Sequence, residues 1–180
     1  MLDNNRGHMV GINGNMITVV FDTFVTQNEV AFAVMGDKRL KCEVIRVRGN
    51  RADLQVFEST NGLRVKDEVE FTDELLSVEL GPGLLRMVYD GLQNPLDKLA
   101  EKSGFFLERG VYMPPLDENS KWNFTPTAKV GDQITAGEYL GHVPEGIFKH
   151  YIMTPFGLQG SWEISSIANS GEYKLRDTIA

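Results

Sequence analysis

The sequence predicts a mainly β protein in which two β-rich modules are joined by a short helical connector. Three observations support this fold class: β-branched runs between turn signals over residues 9–78, helix signals over residues 79–104, and glycine-punctuated strand signals over residues 105–180. A polar segment, residues 1–8, precedes them. The chain has 180 residues, 42% of them hydrophobic, which is enough to bury a core in one domain or two small ones.

The first module combines short strand-like runs with frequent turn signals. Turn pairs such as Asn13-Gly14 and Asn61-Gly62 supply the left-handed backbone that tight hairpins need, and Gly36-Asp37 and Gly49-Asn50 do the same. Short strands at this spacing predict a small closed β-barrel. The predicted strands are residues 16–21, 29–34, 40–47, 52–57 and 68–71.

The connector carries the signals of a short helix. Asn94 suits the N-cap, Pro95 suits the first helical position, and Ser103-Gly104 supplies a stop, so a helix is expected near residues 95–102. Strand signals return after it. Glycine turns over residues 131–171 then predict the second β-rich module.

Composition excludes several classes of function. Eighteen basic and 25 acidic side chains give a net charge of -7, which disfavours binding to nucleic acid phosphates. Cys42 is the only cysteine, so an intramolecular disulfide is impossible and a cytosolic protein with a core cysteine is expected. No apolar run approaches the roughly 20 residues that cross a bilayer, and we expect neither a membrane segment nor a secretory signal.

No complete catalytic constellation is present, so the chain by itself is not expected to be an enzyme. The nearest glycine-rich string, residues 81–85, lacks the lysine and hydroxyl of a phosphate-binding loop, and Pro82 removes an amide donor. The serines lack the context of a nucleophile elbow. We therefore assign no catalytic, cofactor-binding or metal-binding residue. His8, His142 and His150 are too scattered for a zinc motif, although His142 and His150 could converge with Glu145.

One concentration of basic residues is a candidate binding surface. It could be an anion site, a subunit interface that faces an acidic partner, or simply a solvated face of the barrel. Its members are Lys38, Arg39, Lys41, Arg46, Arg48 and Arg51.

The Gly-Asp and Gly-Glu turns of residues 129–160 resemble biotinyl and lipoyl carrier domains. In those carriers a lysine on an exposed hairpin is modified. Lys149 lies between Phe148 and His150, which departs from the Met-Lys-Met and Asp-Lys-Ala signatures. A freestanding carrier or small β-binding module is therefore the alternative function. The simpler interpretation is that the chain shares the β-architecture of these carriers but lacks their modified lysine.

A longer stretch carries a more specific resemblance. The string SVELGPGLLRMVYDGLQNPL at residues 77–96 strongly resembles the catalytic A subunit of V-type and A-type rotary ATPases. The similarity continues upstream through GNRADLQVFESTNG at residues 49–62. It continues downstream through FLERG at 106–110, WNFTP at 122–126 and VGD at 130–132. It therefore covers nearly the whole chain from about Val10.

The resemblance implies a much longer subunit of an ion-translocating ATPase or ATP synthase. In that family an N-terminal β-barrel is followed by an inserted barrel-sandwich-like domain and then by the nucleotide-binding domain. ATP and Mg would bind beyond the position that matches Ala180. The expected partners are the B subunits of the A/B hexamer, whose barrels form a ring with those of the A subunits, and a peripheral stalk or regulator that could touch the inserted domain. The expected location is cytoplasmic, peripheral to the membrane within the complex.

Overall fold

The computed structural model describes residues 5–104 and 106–180, and these form two compact units. The first unit contains the described residues of Met1–Val78 and Leu99–Tyr112, and the second contains Glu79–Lys98 and Met113–Ala180. Twelve strands, one α-helix and one 3₁₀ helix are found in these described ranges, which confirms a mainly β protein. No helix among the described residues is both long enough and apolar enough to cross a bilayer.

Six antiparallel strands build a closed barrel in the first unit. Their spatial order is β1, β2, β5, β4, β3 and β6, and β6 closes the barrel by pairing with both β3 and β1. Closure confirms the predicted barrel and leaves none of its strands with a free edge. The strands are β1 (Arg6–Asn13), β2 (Met16–Phe21), β3 (Glu29–Met35), β4 (Lys38–Arg48), β5 (Arg51–Val56) and β6 (Glu68–Leu75).

Alternating side chains fill the barrel. In β2, Ile17, Val19 and Phe21 are buried while the residues between them are only partly buried. This period of two is the pattern that a strand with one face on a core must have. The remaining inward residues form the same cluster, which includes Met9, Ala31, Ala33, Leu40, Cys42, Val44, Ala52, Leu54, Val56, Val69 and Phe71.

The first strand begins inside the segment that was predicted to be a polar lead-in. Gly7 and Met9 are buried, and Arg6 and His8, which alternate with them, are exposed. Arg6 contacts the carboxylates of Glu68 and Glu70 on β6, with its Nη1 2.6 Å from Glu68 Oε1. The sequence did not predict this strand because its exposed face is polar and only its other face is buried.

The predicted helix forms one residue later than expected and without the predicted cap. It is α1 (Leu96–Ser103), and Pro95 directly precedes it. Asn94 is buried, and its side chain donates to Asp90 Oδ2 and accepts the Met113 N–H at 2.9 Å. Asn94 therefore organises its own loop and does not cap the helix, which corrects the sequence-based assignment. A 3₁₀ helix (Leu84–Arg86) lies upstream.

The second unit holds the remaining strands. A four-stranded antiparallel sheet has the order β10, β9, β7 and β12, and a separate two-stranded sheet pairs β11 with β8. Phe124, Leu140 and Val143 are among its buried apolar residues. The strands are β7 (Lys121–Pro126), β8 (Gln133–Ile134), β9 (Tyr139–Glu145), β10 (Phe148–Met153), β11 (Trp162–Glu163) and β12 (Gly171–Lys174).

Candidate functional site

The predicted basic surface splits into two groups with different surroundings. Lys38, Arg39 and Lys41 lie on the first half of β4, and Arg46, Arg48 and Arg51 surround the turn between β4 and β5. A register shift between Val44 and Arg46 interrupts the alternation of β4 between the two groups. The sequence predicted one surface made of all six residues, but in the structure each group has different neighbours.

The first group is engaged by acidic and aromatic residues of its own unit. Arg39 pairs with the carboxylate of Glu70, and its guanidinium lies 5.0 Å from the centre of the Phe32 ring. Lys38 Nζ is 3.9 Å from the carboxylate of Glu108. These contacts neutralise two of the cations, which weakens the first group as a site for an external acidic partner.

A strap, defined as residues 108–112, covers the third cation of this group. Lys41 Nζ lies 5.1 Å from the Tyr112 ring centre, and the Lys41 N–H donates to the Tyr112 hydroxyl at 2.7 Å. That hydroxyl donates to Glu58 Oε1 at 2.9 Å, while Glu58 Oε2 accepts the Gly110 N–H at 2.8 Å. Arg109 donates to two backbone carbonyls of the loop after β5. The strap is therefore fixed to the barrel by several hydrogen bonds.

The second group is exposed, and its cations outnumber the nearby carboxylates. Arg48 Nη2 lies 3.8 Å from Asp53, and no other ion pair to Arg46, Arg48 or Arg51 occurs among the residues that the structure describes. In the strand register Arg48 is directly opposite Arg51. Like charges at opposed positions of neighbouring strands destabilise a sheet. This basic hairpin, residues 46–51, is thus the part of the predicted surface that is open to an acidic partner.

A buried carboxylate organises the second unit. Glu145, at the end of β9, is 4% exposed. Its Oε1 accepts the N–H groups of Gly83 at 2.7 Å and Leu85 at 3.0 Å, and its Oε2 lies 3.0 Å from His150 Nδ1. Hydrogen bonds to a carboxylate are roughly twice as strong as those between neutral groups. Two amide donors of the glycine-rich string are therefore bonded to a protein side chain.

The three histidines occupy separate positions. His8 lies on β1 of the first unit, His142 lies on β9, and His150 alone reaches Glu145. Nδ1 of His142 is buried and has no hydrogen-bond partner among the residues that the structure describes. No group of three or more metal-ligand side chains was found within residues 5–104 and 106–180. The second unit therefore brings Glu145 together with one histidine and not with two.

Lys149, the residue considered for carrier function, is exposed in β10. It is opposite Pro144 in the strand register, two positions beyond the turn residue Ile147. A carrier lysine must be presented to the modifying enzyme on a hairpin tip, and Lys149 instead lies within a paired strand.

Sequence reasoning missed the strap and the role of Glu58. Tyr112 and Glu58 are 54 residues apart, and neither belongs to a motif whose spacing would link them. Only closure of the barrel brings β4, the loop after β5 and the strap together. Glu145 was considered as a metal ligand, but nothing in its local sequence indicated that it binds backbone amides.

Comparison with known proteins defines the class to which these two units belong. Residues 9–73 match the β-barrel domain of the ATP synthase alpha/beta family, and residues 113–180 match the barrel-sandwich domain of ATP synthase alpha/beta subunits. The two matched ranges fall on the barrel and on the strands of the second unit. The chain belongs to the ATP synthase alpha/beta family.

Within that family the chain is similar over almost its whole length to V-type ATP synthase alpha chains. It is 58% identical to the one from Treponema denticola, over 97% of this chain and 30% of the relative. It is 56% identical to the one from Borreliella afzelii, over 98% of this chain and 31% of the relative. The alpha chain 1 of Treponema pallidum is 55% identical, over 97% and 30%. The chain thus matches the N-terminal region and spans about 30% of the length of these relatives.

Proposed function

We propose that this chain is the assembly-forming N-terminal part of the ATP-hydrolysing or ATP-synthesising subunit of a V-type ion-translocating rotary ATPase. The similarity to V-type alpha chains over 97% of the chain supports the class of complex. The observation that carries the assembly role is the opposition of Arg48 and Arg51 across the β4–β5 hairpin. Asp53 lies 3.8 Å from Arg48, and an acidic side chain of a neighbouring subunit would relieve the repulsion that remains at Arg51.

The proposed neighbour is the B subunit of an A/B hexamer, with the barrels side by side in a ring. A ring of alternating subunits uses unlike sides of each protomer, so a basic side needs an acidic side on the next subunit. In this proposal the second unit contacts a peripheral stalk. The complex is placed on the cytoplasmic side of a membrane, with this chain peripheral to it.

ATP and Mg²⁺ are proposed to bind the part of the full-length subunit that these 180 residues do not include. The amides that could have held a phosphate, those of Gly83 and Leu85, are bonded to the carboxylate of Glu145. Pro82 has no amide hydrogen to offer. A phosphate loop with its lysine and hydroxyl would supply the missing donors elsewhere in the subunit.

Reversal of charge at the basic hairpin tests the assembly role. The double variant Arg46→Glu and Arg51→Glu would be mixed with purified B subunits, and complex formation would be followed by mass photometry. The matched control reverses two charges on another loop of the same unit, Arg64→Glu and Lys66→Glu. We expect the hairpin variant to weaken assembly at least about tenfold and the control to behave as the native chain. Equal assembly by both variants would refute the interface.

Thermal unfolding tests the proposed location of the nucleotide site. A ligand that binds the folded state raises the midpoint of unfolding. We expect Mg-ATP at about 5 mM to leave the midpoint of this chain unchanged. A clear rise in the midpoint would place a nucleotide site within these 180 residues.

A further inference from the structure

An open slot lies along the free edge of β10 in the second unit. In the described part of the chain β10 is an outer strand of the four-stranded sheet and pairs with β9 alone. The slot has a volume of about 520 Å³, and one of its walls is formed by the consecutive residues 150–156. Successive strand residues point to opposite faces of a sheet. A wall made of consecutive residues therefore follows the strand edge, where the backbone is accessible.

Alternate backbone groups of β10 face away from β9. The Leu140 carbonyl accepts amides from the segment after β7, so the backbone groups of residue 140 face β7 and, by alternation, those of Gly141 and Val143 face β10. His150 is opposite Val143 and Ile152 is opposite Gly141, so both use their backbone groups on β9. The N–H and C=O groups of Tyr151 and Met153 consequently point outward. No other backbone partner of either residue occurs in the described part of the chain.

The opposite wall of the slot is apolar and has an acidic end. Leu80, Pro82, Leu116 and Leu175 line the apolar part. At the end stand two carboxylates, Glu79 and Glu118, which share the single cation of Arg176 at 2.9 Å and 3.1 Å. The end therefore keeps one uncompensated negative charge. Side chains of Glu79, Glu118 and Arg176 are 44%, 52% and 68% exposed, so an incoming cation can reach them.

We propose that this slot binds an extended segment of a partner protein, which adds to the sheet as a fifth strand beside β10. Backbone pairing with Tyr151 and Met153 would give affinity, and alternate side chains of the segment would give specificity. One set of those side chains is apolar and packs against Leu80, Leu116 and Leu175. A lysine or arginine of the segment lies beside Glu79 and Glu118, because that end of the slot is acidic.

Two features favour a polypeptide strand over a compact small molecule. Pockets for small molecules enclose most of the ligand surface, whereas Leu80 is 78% exposed and Phe156 is 79% exposed at the rim of this slot. An unpaired strand edge is also a template for another strand, and natural proteins usually cover such edges or place charges on them. Lys149 is the only charged side chain within β10.

The occupant can be found by selecting random ten-residue peptides displayed on phage against the 180-residue chain. We expect enriched peptides to alternate apolar and polar residues and to carry a basic residue. In hydrogen-exchange NMR, the amides of Tyr151 and Met153 should become protected when such a peptide binds. No enrichment, or protection that excludes these two amides, would overturn the proposal.

Paired variants separate backbone pairing from contacts of side chains. Met153→Pro removes an outward amide, which an edge strand tolerates, and Met153→Ala keeps that amide. We expect about a tenfold or greater loss of peptide affinity for Met153→Pro and less than about a threefold loss for Met153→Ala. Glu118→Lys should also weaken binding, whereas Glu163→Lys, on an exposed strand outside the slot, should not. Equal losses for the two Met153 variants would exclude strand addition.

Two further measurements exclude other occupants. If a second copy of the chain filled the slot, sedimentation would show a dimer that Met153→Pro dissociates. If another part of the full-length subunit filled it, the amides of Tyr151 and Met153 would already be protected in that subunit without peptide. Either result would overturn the proposal of a partner protein. A monomer with exchanging amides supports it.

Discussion

The Tyr112 hydroxyl donates a hydrogen bond of 2.9 Å to Glu58 Oε1, which joins the strap to the loop that follows β5. The same hydroxyl accepts the N–H of Lys41, so one oxygen atom bridges two segments of the barrel. Burial, together with the negative charge of Glu58, raises the pKa of Tyr112 well above its usual value near 10. The hydroxyl must keep its proton to donate to a carboxylate.

Removal of this hydroxyl should destabilise the first unit. Tyr112→Phe leaves the Lys41 amide and the Glu58 carboxylate without this partner, and we expect a loss of about 1–2 kcal/mol in the free energy of unfolding. Urea titration followed by circular dichroism would measure it. Tyr139→Phe in the second unit is the control, because the hydroxyl of Tyr139 makes no side-chain hydrogen bond within residues 5–104 and 106–180. A loss below about 0.5 kcal/mol would show that the strap is held by its other contacts.

The raised pKa of Tyr112 also predicts a dependence of stability on alkaline pH. The folded state retains a proton that the unfolded state releases above pH 10, so the contribution of Tyr112 to stability is complete below pH 10 and falls as pH rises further. Tyr112→Phe should abolish that part of the decrease. Unfolding midpoints measured between pH 8 and about pH 11 would show parallel curves for the two proteins if Tyr112 did not contribute.

Substitution of Glu145 should destabilise the second unit. Glu145→Ala leaves two backbone amides and His150 without their acceptor, and charged hydrogen bonds of this kind contribute about 1.5–3 kcal/mol each. We expect a loss of about 3 kcal/mol or more, and a smaller loss for Glu145→Gln, which keeps an acceptor oxygen. Exposed Glu163→Ala is the control. If Glu145→Ala unfolded at the same urea concentration as the control, the carboxylate would not be organising this loop.

Gly141 should not accept a methyl group. A Cβ at this position would overlap the Phe124 ring and would lie 2.6 Å from the carbonyl oxygen of Thr125. Gly141→Ala should therefore cost about 1–3 kcal/mol, because a packed sheet must shift to admit the methyl group. Gly157→Ala is the matched control, since nothing lies within 4 Å of the Cβ added there. Thermal unfolding of the two variants would distinguish them, and equal midpoints would contradict the packing at Gly141.

Cys42 should be unreactive in the folded protein. It is fully buried in the barrel, and burial raises the pKa of its thiol to about 12. Thiolate is the reactive form of cysteine, so at pH 8 a thiol reagent should modify Cys42 only when the barrel opens. The rate of reaction with a chromogenic disulfide should rise steeply across the urea transition of the first unit. Modification of the native chain at the rate of a free thiol would contradict a closed barrel.

Local sequence was sufficient to predict the bounds of those strands and turns whose own residues carry a clear signal. Residues 16–21 were predicted as a strand and form β2, and the predicted strand 40–47 lies within β4. The predicted helix differs from α1 by one residue at each end. The predicted start was one residue too early because Asn94 is a residue type that often caps helices. Its side chain instead bonds to Asp90 and to the Met113 amide, and the local sequence does not indicate these partners.

The candidate site was only partly accessible from sequence. The six basic residues were recognised as a group because they are close in the chain. Which of them meet acids or aromatic rings depends on strand register and on the strap, whose residues are distant in sequence. Glu145 illustrates the same limit, since its partners Gly83 and Leu85 are 62 and 60 residues away.

The sequence by itself determined the β class, the order of the two modules and the family, because alternation, turn residues and long ordered motifs are all local properties of the chain. Tertiary structure decided which of the six basic residues are paired with acidic side chains and which strand edge of the second unit is open. The contacts behind the pairing of Arg39 and behind the open edge of β10 join residues far apart in sequence. Arg39 pairs with Glu70, which is 31 residues away on β6, and this pair requires the folded barrel, whereas the opposition of Arg48 and Arg51 is set by the local β4–β5 hairpin.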